Sequence, residues 1–151
     1  MDKADWAEME QRGLMNQSLY PNIDGKVACS NGIAASTPGD PKYTFRCNNI
    51  DLYDFKSHKN LGSSMAFGSS SWGWSSPTGR EFVAVAQQDG AAFAEISKEG
   101  QLVYLGRLPA FSKPSLWREI RGFKNFMIIG SEAEGHGIQI FDMIKVGDAR
   151  P

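Results

Sequence analysis

Residues 131–137 read Ser-Glu-Ala-Glu-Gly-His-Gly, placing two carboxylates and an imidazole within five positions. Glu132, Glu134 and His136 could supply an acid, a base and metal ligands if a loop gathered them. A divalent ion would need further oxygen or nitrogen ligands from elsewhere. Asp51, Asp54, Asp89 and Asp142 are available, but no spacing ties them to His136. The structural alternative, which we prefer, has Glu132 and Glu134 solvated. Gly135 and Gly137 then permit a bulge before a strand, and His136 satisfies a buried backbone group.

A second group is Trp72-Gly73-Trp74. Indoles at i and i+2 of a strand share a face and could form an aromatic platform for a sugar or peptide. Alternatively they wedge between neighbouring repeats, each N–H finding a partner there. Other chemistries lack their signatures. Ser69–Ser71 and Ser75–Ser76 sit outside any Gly-X-Ser-X-Gly elbow, and no glycine-rich phosphate loop precedes a helix. His58, in Lys-Ser-His-Lys-Asn, reads as an exposed turn residue.

Charge narrows the partners. Sixteen basic and 17 acidic residues leave a net charge of −1, which is no footprint for nucleic acid. Arg118, Arg121 and Lys124 could form a local patch, but Glu119 lies inside it. No window has the 18 or so apolar residues of a membrane helix. The opening MDKADWAEMEQRGLM is acidic and shows no apolar signal core. Cys29 and Cys47 admit two readings. They are buried thiols in a cytosolic protein, or, in a secreted one, a disulfide worth roughly 3 kcal/mol stapling a Gly- and Pro-rich loop. Zinc and thioredoxin-like spacings are missing.

These residues must be positioned by a mostly β chain. A helix fits residues 2–12, capped by Asp2 or Asp5 and ended by Gly13. Beyond it come short apolar or alternating runs at 43–47, 50–55, 81–87, 91–97, 101–106, 126–131 and 137–143. They are rich in β-branched and aromatic residues and read as strands. Pro77-Thr78-Gly79, Asp89-Gly90 and Glu99-Gly100 mark turns.

Landmarks also recur. Asp54, Glu95 and Asp142 end comparable strands 41 and 47 residues apart. Leu61-Gly62 precedes Leu105-Gly106 by 44 residues, and Trp74 precedes Trp117 by 43. A period near 44 suits a four-stranded propeller blade. The expected architecture is a partial β-propeller: one complete blade, two incomplete ones and a short N-terminal helix. Lys59–Gly62 is read as a short strand, LWREIRGF as the first strand of the third unit. The recurring acids are expected to bind backbone amides at turns. So few blades cannot close a ring, so the chain reads as a piece of a longer protein.

The ordered string CNNIDLYDF, SSSWGWSSPTGREFVAVAQQDGAAFAEIS, YLGRLP and SLWREIRGFKNFMIIGSEAEGHGIQIFDM resembles the choice-of-anchor B domain family over roughly residues 28–146. That family carries LVIVD-type propeller repeats, and its fungal members are often labelled regulatory P domain-containing proteins. The resemblance implies an extracellular or cell-surface location, the setting in which Cys29 and Cys47 pair, and a domain about twice this length. It brings no catalytic residues. The expected division is a lead-in over 1–27 and repeats over 28–151. The expected function is a non-catalytic module, without a cofactor, binding a protein or carbohydrate. The alternative is a metal-dependent propeller hydrolase using Glu132, Glu134 and His136.

Overall fold

A computed structural model describes residues 3–147. With 44% of the chain in strands and 12% helical, the fold is mostly β, and its antiparallel sheets do not close. The N-terminal helix α1 spans Lys3–Gln11. Asp5 lies in its first turn, and Asp2, the other proposed cap, lies outside the described residues. Nine residues are too few for a helix to persist alone in water, so α1 depends on docking. Its Trp6 stacks on Phe67 at 4.8 Å and leans on Trp117 at 5.6 Å.

The next strands form two small sheets. β1 (Ile23–Val27) pairs with β4 (Leu52–Phe55), and β2 (Ile33–Ala35) pairs with β3 (Thr44–Arg46). The sequence pattern conceals β1 and β2, because Asp24, Gly25 and Lys26 break one apolar run and the other is three residues long. The lead-in thus already contributes a strand to the β unit. The Cys29–Cys47 disulfide is formed, with Cα atoms 5.9 Å apart, and closes the segment that carries β2. Lys59–Gly62 is a turn, not a strand: Leu61 N–H donates to Ser57 and Gly62 N–H to Lys59.

The centre of the molecule is a meander, β5 (Gly68–Ser75), β6 (Glu81–Gln87), β7 (Gly90–Ile96) and β8 (Leu102–Pro109), paired in chain order. The three turn signals fall at its three connections. A second meander follows, β9 (Arg118–Phe123), β10 (Phe126–Ser131) and β11 (Ile138–Asp142), ending in the single helical turn α2 (Ile144–Gly147).

The two meanders meet face to face. Phe82, Ala84 and Ala86 from β6 and Ala91 and Phe93 from β7 pack against Ile120, Met127 and Ile129, with Met143 and Val146 closing the side. Alternation selects these residues. Ala92 and Ala94, on the opposite face of β7, are buried as well. The N-terminal strands lie on that side, where Leu102 N–H donates to Asp54 at 3.0 Å. Three units therefore stack along the chain, with the central one covered on both sides.

Of the recurring acids, Asp54 and Asp142 accept backbone amides, from Leu102 and Ile144. Glu95 instead holds the Arg80 guanidinium through both oxygens, at 2.7 and 2.6 Å. Trp74 and Trp117 are not equivalent: Trp74 lies inside β5, whereas Trp117 precedes β9. The β5–β6 connection is longer than the two-residue β9–β10 turn, so equal sequence spacing does not preserve register.

Candidate functional site

Four connections gather at one end of the stacked sheets: segments 56–67 and 110–117, the Gln88–Asp89 turn and the loop 132–137. Backbone hydrogen bonds tie them together, from Gln88 to Phe67, Ala110 to Asp89, Ser115 to Gln88 and Glu132 to Trp117. A connected network of polar side chains lies at this end.

Its centre is Gln87, fully buried at the end of β6. Gln87 Nε2 donates to the carbonyls of His58 and Leu61 at 3.2 and 3.4 Å, and Oε1 accepts from Arg107 at 3.4 Å. Arg107 also grips Asp89 in a fork, 2.6 Å to Oδ1 and 3.3 Å to Oδ2. Asp89 additionally accepts from the Ser63 hydroxyl at 2.6 Å and from the Ser64 amide and hydroxyl, each at 3.1 Å. Burial works to raise the Asp89 pKa, but these donors outweigh it and hold the carboxyl down at about 2.

Arg118 enters from the other meander. Its side chain is buried, because residue 118 falls on the inward face of β9 with Ile120. Nε donates to the Gln87 carbonyl at 3.1 Å, and Nη1 meets His136 Nε2 at 3.2 Å. Burial lowers the guanidinium pKa against the opposing field of Asp89. Arg118, Arg121 and Lys124 therefore form no contiguous basic patch: Arg118 faces inward, and Arg121 faces outward beside Glu119.

His136 is the residue of the acidic loop that turns inward, with Nδ1 2.8 Å from Ser112 Oγ. An arginine is only a donor. Nε2 must then accept, and the single proton of a neutral ring sits on Nδ1 and points at Ser112. That tautomer cannot take a proton from Ser112, so this serine–histidine pair lacks the polarity of a nucleophile and its base. Burial first, and then the Arg118 charge, lower the His136 pKa, while a backbone hydrogen bond at Ile129 raises it.

Glu132 and Glu134 are exposed on the same loop. Glu132 accepts from Ser115 Oγ at 2.9 Å. The loop thus sends its imidazole inward and its carboxylates outward, and the three do not converge. Among the described residues, no group of three or more His, Cys, Asp or Glu side chains could hold a metal ion.

His58, expected in an exposed turn, instead lays its ring on Gly68. A Cβ there would lie 2.3 Å from His58 Cε1. Burial lowers the His58 pKa, opposed by the charge of Asp89. Trp72 and Trp74 do share a face, and it is turned toward the second meander. Trp74 packs on Phe82 at 5.4 Å. Trp72 covers Gly122 of β9, where a Cβ would come within 2.3 Å of its Nε1, and Arg121 lies over its ring at 5.2 Å. Trp72 keeps 39% of its surface exposed.

Sequence reasoning missed Gln87, Arg107 and Ser112 and misplaced Arg118. Strand alternation offered one signal, since it sets Arg118 in phase with Ile120. No local pattern announces Gln87–Arg107, because the two are brought together through β7. No family model, curated protein or solved structure matches the chain.

Proposed function

We propose that this chain is a non-catalytic binding module of the extracellular space or cell surface, built from propeller-type repeats and presenting one end of its stacked meanders to a protein or carbohydrate partner. The observation that carries the reading is the His136 tautomer imposed by Arg118. Where a catalytic base would be sought, the chemistry is committed to holding loops together, as are Asp89, Arg107 and Gln87. Rigid loops at one end of a β scaffold are what a binding surface requires. The disulfide suits an oxidising compartment. No helix among the described residues is long and apolar enough to cross a membrane. The resemblance to choice-of-anchor B domains supports the same location.

The test is calorimetric titration with Zn2+, Mn2+ and Ca2+, together with melting with and without chelator. The expected outcome is no stoichiometric heat and an unchanged melting temperature. Stoichiometric binding that His136→Ala abolishes would overturn the reading in favour of the metal-dependent hydrolase.

A further inference from the structure

The aromatic pair that receives Trp6 belongs to the end where the connections gather. Phe67 closes segment 56–67, and Trp117 closes segment 110–117. Backbone bonds hold both residues: Gln88 N–H donates to the Phe67 carbonyl and Glu132 N–H to that of Trp117. The Trp117 carbonyl also accepts from Ser131 Oγ at 3.1 Å. Phe67 is 9% exposed, while Trp117 keeps 42% of its surface open even with Trp6 beside it. The cleft between them is fixed in place and partly filled.

Its occupant is fastened far less well. Ala4, Asp5, Ala7, Glu8, Glu10 and Gln11 of α1 are exposed, so the helix rests on Trp6 and on half-buried Met9. Trp6 Nε1 is buried without a hydrogen-bond partner among the described residues, so its N–H gives up water for nothing. The nine residues of α1 fall short of the roughly 12–15 at which a helix begins to hold alone. Its last turn sets Glu8 and Glu10 against the carbonyl end of the dipole, with no basic residue inside the helix. Arg12, just beyond, answers Glu8 at 3.4 Å. A groove of about 960 Å3, lined by Glu10, Gly13, Met65 and Phe67 among others, lies between the end of the helix and segment 56–67. The chain is clasped again at Gln17, which donates to the Met65 carbonyl at 3.3 Å and accepts from Lys59 N–H at 2.5 Å. Gly13, at a φ of +71° and with open space around it, stands between helix and clasp where a hinge needs freedom.

We propose that α1 is a displaceable plug: Trp6 fills, from within the chain, an aromatic cleft between Phe67 and Trp117 whose other ligand is an aromatic side chain of a protein partner. Trp6 is the template for that ligand, a flat ring stacked on Phe67 at 4.8 Å and tilted against Trp117 at 5.6 Å. The unpaired indole N–H decides between the two partner classes named above. A cleft that offers no acceptor to one N–H has still less to offer the many hydroxyls of a sugar. The short tether keeps Trp6 at an effective concentration on the order of millimolar, so a free ring competes poorly with it. A partner that also touches the surrounding loops gains the surplus that expels it, and the plug thereby screens out weak contacts. The proposal deepens the binding reading and rests on it.

Two measurements on the full chain test this. In amide hydrogen exchange, α1 should open at least tenfold more readily than β6 and β10, while the meanders stay protected. In NMR titrations with N-acetyl-tryptophanamide, Trp6→Ala should keep the folded strand signals and bind the probe at least tenfold more tightly than the wild type, because the competing ring is gone. Adding Trp117→Ala to Trp6→Ala should abolish that binding. The proposal is overturned by an α1 as protected as β6, by a Trp6→Ala chain whose meanders unfold, or by equal affinity of the two proteins for the probe. Failure of Trp6→Ala to bind it, or binding indifferent to Trp117→Ala, would overturn it as well. Stoichiometric metal binding would sink the binding-module reading without touching these results, so the two fail separately.

Discussion

Replacing Asp89 by asparagine removes the charge that organises the loop end while nearly preserving shape. The folded carboxyl titrates at about 2 against an ordinary value of 3.8. At about 1.4 kcal/mol per pH unit, that displacement corresponds to about 2 kcal/mol of stability. Little discount for solvent is needed, because the Asp89 side chain is only 13% exposed. The sign follows from linkage: a depressed folded pKa stabilises above pH 3.8, and the contribution is lost as pH falls toward about 2. Urea denaturation of the wild type and of Asp89→Asn, with the disulfide intact, measures the gap at several pH values. The gap should be about 2 kcal/mol at pH 6, narrow below about pH 4 and close as pH falls through about 2, where the wild-type carboxyl itself takes up its proton. Comparing the two proteins cancels the titration of every other carboxylate. A gap under about 0.5 kcal/mol at pH 6, or one of equal size at pH 2.5, would refute the reasoning.

Three further outcomes are expected. His136 and His58 both have folded pKa values depressed below 6.5, so the stability they contribute is present above that value and declines as pH falls through it. Melting curves between pH 7.5 and 5 should show the loss, and His136→Gln should flatten part of it. Cys29→Ser opens a loop with a sequence separation of 18 and should cost about 3 kcal/mol by denaturant titration, unless only the β2–β3 pair melts, which amide exchange would localise. Gly90→Ala forces a Cβ to within 2.4 Å of the Leu108 carbonyl at a φ of +155°. Backbone cannot swing aside as a side chain can, so melting should fall by several degrees; an unchanged melting temperature would show the β7–β8 pairing to be looser than drawn.

Much of the scaffold was legible from the residues alone. The runs at 81–87 and 126–131 coincide with β6 and β10, and Asp89-Gly90 turns where a hairpin cue should. Period-two alternation and glycine's access to positive φ are properties of a few adjacent residues, so local sequence is enough to specify them. The inward side of each strand followed from the same alternation, including that of Arg118, had its charge not suggested a surface patch.

The site was another matter. Glu132, Glu134 and His136 are neighbours in sequence, yet the fold points the imidazole inward and the carboxylates outward, because a turn separates adjacent residues by direction rather than by distance. Gln87 meets Arg107 and Arg118 at sequence separations of 20 and 31. Such pairings depend on how sheets stack and which connectors cross their ends, and no short-range rule encodes that. Whether Cys29 and Cys47 would pair was likewise open in the sequence; it took β2 and β3 lying side by side to bring their Cα atoms to 5.9 Å. The sequence by itself determined most strands of the two meanders and the turns between them, while β1 and β2 stayed hidden in it. Tertiary packing decided which polar groups share a buried space, and so which of them are free to do chemistry.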